Sequence, residues 1–178
     1  MQLKNIKQQP ELRYESKRMG TVICFSPEVV AHFIAHRQQG KIKTELGGQL
    51  FAEFLGNEVH VVLATEPNTA DKRGWAWFKP NQLRQNAEIK RLFKEGRHFV
   101  GDWHTHPEFE PNPSSWDMES MEDCFIKSRH QLKGFVMVIV GLAEFPDGLW
   151  VSIHCKSSWE RLAMVNKDCR GYRQPSIS

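Results

Sequence analysis

The sequence predicts an α/β protein in which a mixed β-sheet is flanked by helices. Runs rich in β-branched and aromatic residues, such as Thr21–Phe25, alternate irregularly with stretches at helical spacing, such as Asn81–Glu95. Some β-rich runs follow one another directly. Gly47–Phe54 and Glu58–Thr65 are joined by Leu55-Gly56-Asn57, which is a hairpin signal. Helical crossovers together with hairpins predict one layered α/β domain.

The composition indicates an ordinary globular protein. The chain has 178 residues, of which 40% are hydrophobic and 25% are charged, enough for one domain with a full core. The formal net charge of +3 is mild and is not concentrated in a basic stripe, so we expect no nucleic-acid partner. The longest apolar run, Phe135–Leu142, is too short to cross a membrane, and Met1–Pro10 has no apolar signal region. These features predict a cytoplasmic protein without a membrane partner.

Three segments are expected along the chain. Residues 1–18 form a polar N-terminal arm with room for a short edge strand, residues 19–166 form the folded domain, and residues 167–178 form a loose tail. The cysteines include no Cys-x-x-Cys pair, so reduced thiols are expected rather than a zinc knuckle. They are Cys24, Cys124, Cys155 and Cys169.

A helix is expected directly after the first predicted strand. Ser26 suits an N-cap, Pro27 the first helical position and Gly40 the C-terminal cap, with apolar residues at helical spacing between them. His32 and His36 lie one turn apart on this helix, a spacing that can bind a metal. Because no carboxylate or cysteine is patterned with them, a plain helix-surface position is the favoured interpretation and metal binding the alternative.

The second half of the chain is expected to alternate helices and strands. A turn at Pro146-Asp147-Gly148 separates the last two long strands. In chain order the predictions are a helix over Asn81–Glu95, a strand over His98–Trp103, a helix over Ser115–His130, strands over Phe135–Gly141 and Leu149–Cys155, and a short terminal helix over Trp159–Val165.

A metal site is indicated at the end of the strand that begins at His98. His104 and His106 are two residues apart, so a strand directs both imidazoles to one face. The Pro- and Asn-rich loop after them ends at Ser114, which suits a helix N-cap and places Asp117 in the first helical turn. Two imidazoles and a carboxylate suit zinc with one open position. A His-x-His pair alone is more often an ordinary polar pair, and the downstream Ser-x-x-Asp favours the metal site.

A hydrolytic zinc site also needs a base, and Glu45 is the residue that suits this role. It precedes Gly47 and Gly48, which permit a close backbone approach beside the acid.

The combination of Glu45, His104-Thr105-His106-Pro107 and, six residues later, Ser114 and Asp117 resembles the complete signature of the JAMM (MPN-plus) zinc metallopeptidases. The resemblance extends from about Thr21 to about Trp159. It implies the JAMM fold and hydrolysis of a peptide or isopeptide bond.

The resemblance also implies the roles of these residues. Zn²⁺ is held by His104, His106 and Asp117, Glu45 is the general base and later the acid, and Ser114 stabilises the oxyanion. A simple capping role for Ser114 stays open.

Two further assignments are made, the first from the resemblance and the second from strand alternation. JAMM enzymes that cut protein conjugates clamp the extended tail with an insertion near this position, so Trp75, Trp77 and Phe78 are expected to bind substrate, with core packing as the alternative. Asp102 shares a strand face with the histidines and is expected to orient a ligand from behind, or else to be an ordinary strand-end acid.

The motif is similar to that of the bacterial JAMM branch encoded beside E1- and E2-like proteins in cGAS-like anti-phage operons. This implies that the partner is a protein substrate carrying a conjugated or fused C-terminal tail. Processing of ubiquitin-like sulfur carriers, cleavage of phage-tail cell-wall substrates and a non-catalytic MPN scaffold remain alternatives. A zinc nucleobase deaminase is nearly excluded, because its Pro-Cys-x-x-Cys motif does not occur.

Overall fold

The computed structural model describes residues 9–39, 44–68, 72–73, 78–79 and 81–165. The helices in these ranges are α1 (Pro27–Ala35), α2 (Gln82–Lys94) and α3 (Ser115–Lys127). The strands are β1 (Leu12–Ser16), β2 (Thr21–Phe25), β3 (Gly47–Leu55), β4 (Glu58–Ala64), β5 (Lys72–Arg73), β6 (Phe78–Lys79), β7 (His98–Thr105), β8 (Phe135–Val140), β9 (Leu149–Cys155), β10 (Ser158–Arg161) and β11 (Ala163–Met164). Of the helices in the described part of the chain, none has the length and apolar character that a membrane crossing requires.

The described strands, apart from the β5–β6 hairpin, form one mixed sheet in the order β10-β9-β8-β7-β3-β4-β2-β1-β11. The pairs β2–β4 and β7–β8 are parallel, and the other pairs are antiparallel. Strands β10 and β11 lie at opposite ends of this order, yet only the buried Leu162 separates them in the chain. The sheet therefore curls until its two edges come together at Leu162.

Strand β8 shows how the two faces of the sheet are packed, because its six residues are all buried. Val136, Val138 and Val140 join the larger core, to which α1 contributes Val29, Val30 and Phe33. Phe135, Met137 and Ile139 point to the other face and pack against Met121 of α3. The period of two along β8 thus places α1 and α3 on opposite faces of the sheet.

The predicted mixed sheet flanked by helices is confirmed. The predicted terminal helix over Trp159–Val165 is wrong, because this segment forms β10 and β11. Trp159 stacks on His154 of β9 with an angle of 20° between the rings, and Leu162 donates its backbone N–H to the carbonyl of Val151. Pairing with strands from both ends of the sheet overrides the local helical preference.

The segment predicted as a polar arm contains β1, whose Leu12 and Tyr14 are buried. Strand β1 pairs with β2 on one side and with β11 on the other. The boundaries of the arm, the domain and the tail remain predictions.

Candidate active site

Strand β7 carries the two histidines to one place. His104 is the penultimate residue of β7, and His106 directly follows the strand and donates its backbone N–H to the carbonyl of Val140 at 3.0 Å. The chain therefore stays extended through both residues, and their rings lie with centroids 5.0 Å apart. Both side chains are buried. The alternation expected from the His-x-His spacing thus places both imidazoles together.

Helix α3 brings Asp117 to the histidines through its N-terminal cap. The Ser114 hydroxyl accepts the backbone N–H of Asp117 at 3.2 Å, and the Asp117 carboxylate accepts the backbone N–H of Ser114 at 2.7 Å. This is a reciprocal capping box. The Ser114 hydroxyl also donates to Oδ2 of Asp117 at 2.7 Å. These bonds hold the carboxylate in one orientation.

Two separations in this cluster are close to those between the ligands of a tetrahedral zinc ion. Nε2 of His104 lies 3.3 Å from Oδ1 of Asp117, and Nε2 of His106 lies 3.5 Å from Oδ2. Ligands about 2.0–2.1 Å from a tetrahedral ion lie about 3.3–3.4 Å from each other. Nε2 of His104 is buried without a hydrogen-bond partner among the described residues. The donor set and its spacing therefore fit Zn²⁺.

Glu45 reaches the cluster through the pairing of β3 with β7. Gly47 lies opposite His104 in this antiparallel ladder. Thr105 donates its backbone N–H to the carbonyl of Leu46 at 2.8 Å, and its hydroxyl accepts the N–H of Leu46 at 3.0 Å. The same register places Glu45 opposite His106, where its Oε1 lies 3.5 Å from Nε2 of the imidazole.

The carboxylates of the site have opposite pKa shifts. Burial raises the pKa of Glu45, which is only 2% exposed, to about 7, although the neighbouring His106 opposes this shift. Burial also acts to raise the pKa of Asp117, but its contacts with His104, His106 and Ser114 outweigh it and hold that pKa well below its ordinary value. The Asp117 carboxylate is thus held ionised beside the imidazoles, and the Glu45 carboxylate is poised to exchange a proton near neutral pH.

A comparison with known protein families agrees with this geometry. A model of the family described as prokaryotic homologs of the JAB domain matches residues 26–153, well over half of the chain. The chain belongs to this family. The match covers Glu45, both histidines, Ser114 and Asp117, and it confirms the resemblance drawn from the motif.

Named relatives of this JAB protein share most of its length. A protein of Escherichia coli (strain TW11681) named "CD-NTase/cGAS isopeptidase" is 28% identical over 143 residues, which are 79% of this chain and 86% of the relative. A protein of the same name from Pseudomonas aeruginosa (strain BWHPSA011 / Pa011) is 33% identical over 125 residues, which are 68% of this chain and 78% of the relative.

The fold is also similar to that of a solved structure. A protein from Desulfitobacterium hafniense, known from its solution structure, matches with a TM-score of 0.56 and 21% identity. The match covers 77% of this chain and 87% of the other. This likeness shows that the two chains share a fold and nothing finer.

A glycine allows the β3 strand of this JAB domain to lie close to its neighbours. A Cβ atom at Gly48 would be 2.4 Å from the Thr65 carbonyl oxygen and 2.8 Å from Nε1 of Trp103. Nε1 of Trp103 itself donates to the Thr65 carbonyl at 3.1 Å. The close backbone approach predicted beside Glu45 is therefore confirmed at Gly48.

The remaining predicted residues of the JAB domain stay predictions. Asp102 lies opposite Gln49 in the β3–β7 ladder, and its charge adds to burial in raising the pKa of Cys124 to about 12. Its expected role in orienting a histidine is not tested by these contacts. Trp75 and Trp77 lie outside the described residues. Phe78 belongs to β6, where it pairs with Arg73 of β5.

One positioning residue was missed in the sequence. Thr105 lies between the two histidines in the sequence and is fully buried. Its hydroxyl accepts the backbone N–H of Leu46 and donates to Oε1 of Gln38 at 3.2 Å. It thereby fixes the distance between the segment that carries Glu45 and the strand that carries the ligands. The available signal was its position: a polar residue that alternates with two ligands must face the core and needs partners there.

Proposed function

We propose that this chain is a zinc-dependent isopeptidase of bacterial anti-phage defence. It hydrolyses the bond that joins the C-terminal tail of a ubiquitin-like or cGAS-like modifier to its target. In maturation, it hydrolyses the peptide bond between this tail and the residues that follow it in the precursor. The observation that carries the proposal is the buried carboxylate of Glu45, 3.5 Å from a ligand histidine of a cluster with zinc geometry. The name "CD-NTase/cGAS isopeptidase" of two relatives supports the substrate class.

In this proposal His104, His106 and Asp117 hold Zn²⁺. The bound ion would polarise the scissile carbonyl and make water more acidic. Glu45 takes one proton from the attacking water as the new C–O bond forms. It then gives that proton to the nitrogen as the C–N bond breaks, so the products are the carboxylic acid of the tail and a free amine, which exchange the remaining proton to become a carboxylate and an ammonium group.

Ser114 has two roles in the proposal. Its contacts with Asp117 orient a ligand, as outer partners of metal sites commonly do. For the oxyanion role its hydroxyl turns from Oδ2 of Asp117 towards the substrate carbonyl. We also assign Trp75, Trp77 and Phe78 to holding the extended tail, and Asp102 to orienting a histidine.

The proposed partners are a protein substrate with a conjugated or fused tail and E1- and E2-like proteins encoded nearby. We place the activity in the cytoplasm. The described cysteines support a reducing compartment, because Cys24, Cys124 and Cys155 are free thiols.

The test compares the wild type with Glu45→Gln, which keeps the shape of the side chain and removes its basicity. The substrate is the C-terminal tail of the cGAS-like protein from the neighbouring gene, fused to a reporter. We expect the variant to lose about 10²–10⁴-fold in cleavage rate while it retains its zinc, since general acid–base catalysis contributes about this much. Glu53→Gln, an exposed position on the same strand, is the matched control and should cleave normally.

Each outcome separates the parts of the proposal. Cleavage that is lost on chelation and in Glu45→Gln supports the whole mechanism. Zinc binding without cleavage of any tail rejects the substrate and leaves the site. Full activity in Glu45→Gln, or a wild type that binds no added zinc, rejects the mechanism.

A further inference from the structure

A second group of metal-ligating side chains lies on the other face of β7 from the active site. His32 and His36 come from α1, and Glu66 comes from the segment that follows β4. Nδ1 of His32 lies 3.4 Å from Oε1 of Glu66, and Nε2 of His36 lies 3.0 Å from Oε2. Both oxygens of a single carboxylate thus face two imidazole nitrogens.

The tautomer of His36 is fixed by the backbone. Its Nδ1 lies 2.8 Å from the carbonyl oxygen of His32, which can only accept a hydrogen bond, so Nδ1 carries the hydrogen. In the neutral ring Nε2 then presents a lone pair to Oε2 of Glu66, which is also an acceptor. Two acceptors at 3.0 Å require a cation between them, either a proton or a metal ion. Donation of Nδ1–H to a carbonyl is also the usual way in which proteins orient a metal-bound histidine.

The surroundings of His32 favour the metal ion over protons. The two rings lie with centroids 4.2 Å apart, so two imidazolium charges would repel each other. His32 also packs edge-on against Trp103 at 4.8 Å. A single divalent ion shared by the three groups gives each of the facing atoms a partner and leaves Nε2 of His32 as the buried ring nitrogen without one among the described residues.

We propose that His32, His36 and Glu66 form a second zinc site, which ties α1 to the chain segment leaving β4. The separations of 3.0 and 3.4 Å are close to the roughly 3.3–3.4 Å between ligands of a tetrahedral zinc ion. The side chain of Glu66 is 75% exposed, so the ion can enter from solvent. The site supports β7 from behind, because Thr65, next to Glu66, accepts the indole N–H of Trp103 at 3.1 Å.

A third cluster in the described chain shows what disqualifies such a group. Cys24, Glu58 and His60 also bring three ligand atoms together. There the Glu58 carboxylate is already occupied by the guanidinium of Arg13 and by His60. Burial also raises the pKa of the Cys24 thiol to about 11, which disfavours the thiolate that binds metal. The cluster of His32, His36 and Glu66 has neither obstacle.

The test counts zinc in the full chain, stripped with a chelator and titrated with Zn²⁺ against a competing dye. The variants are Glu66→Gln, Asp117→Asn and the double variant. We expect two zinc equivalents in the wild type, one in each single variant and none in the double variant. Glu144→Gln is the matched control, because it removes another exposed carboxylate that contacts α1's neighbour Arg37, and it should keep two equivalents.

A thermal melt supplies the second measurement. Zinc should raise the midpoint of Asp117→Asn and should not raise that of the double variant. Glu66 is exposed, so its substitution leaves the fold intact and the count remains interpretable. A wild type that binds one equivalent, or a Glu66→Gln protein that still binds two, overturns the second site. Zinc binding here is independent of the proposed isopeptidase activity, whose failure would not change these counts.

Discussion

Replacing Ser114 with alanine should weaken both the fold and the zinc site, because one hydroxyl serves both. The substitution removes the bond accepted from the Asp117 N–H at 3.2 Å and the bond donated to its carboxylate at 2.7 Å. A lost N-cap costs about 0.5–2 kcal/mol, and a lost hydrogen bond to a charged group costs about 1.5–3 kcal/mol. The Asp117 carboxylate still accepts the backbone N–H of Ser114 in the variant. We therefore expect the free energy of unfolding to fall by a total of roughly 3 kcal/mol. In a chain of this size that lowers the melting midpoint by about 6–12 °C.

The loss of zinc affinity is the more specific consequence. Outer partners that orient a ligand typically change metal affinity by about 10–100-fold, and we expect Ser114→Ala to fall in this range. The assay is a zinc titration against a competing dye, with Glu66→Gln present in every protein so that only the active-site cluster is measured.

A second helix cap provides the control for this prediction. Asn81 caps α2 by accepting the N–H of Arg84 at 3.2 Å, and it lies on a helix that carries no ligand of either cluster. Asn81→Ala should lose about 1 kcal/mol of stability and no zinc affinity. If Ser114→Ala melts earlier but binds zinc as tightly as Asn81→Ala does, then Ser114 does not position Asp117 and the reasoning is refuted.

Two further predictions concern stability. Gly48→Ala should lower the free energy of unfolding by about 1–3 kcal/mol, because its Cβ would meet the Thr65 backbone at 2.4 Å; an unchanged denaturation midpoint would contradict this. Burial lowers the pKa of His154 to about 4, so the unfolded chain binds this proton near pH 6.5 and the folded chain does so only near pH 4. The free energy of unfolding should therefore fall by up to about 3 kcal/mol as the pH falls through this interval. Denaturation of His154→Gln across this pH range should show a shallower decrease, and an identical profile would argue against it.

The grouping of His104, His106 and Asp117 could be predicted from the sequence because its geometry is local. Strand alternation places His104 beside His106, and a capping box places Asp117 in a first helical turn. Glu45 was chosen because a hydrolytic site needs a base, and the family resemblance supported the choice. Its position could not be predicted, because the β3–β7 register that brings it opposite His106 is not written in either segment alone.

Other features depend on contacts that the local sequence does not contain. His32 and His36 were predicted to lie on the helix surface, because no acidic residue stands at a metal-binding spacing from them in the sequence. The acidic residue that contacts them, Glu66, lies in the segment after β4. The segment Trp159–Val165 was misassigned for the same reason. Its strands form because the two sheet edges converge at Leu162, which is a property of the whole sheet.

Strand β7 shows how the two clusters are related. His104 and His106 face α3 and the active site, whereas Trp103 and Thr105 face the opposite side and are fully buried there. Trp103 contacts the rings of His32 and His36 and the Thr65 carbonyl, and Thr105 bonds to the segment of Glu45. Because rigid elements place functional groups more precisely than loops do, the residues behind the strand determine how accurately the ligands in front of it are held. A metal ion bound behind β7 would therefore act on the active site through the strands packed in front of it, by restricting Trp103 and Thr65 and not by touching substrate.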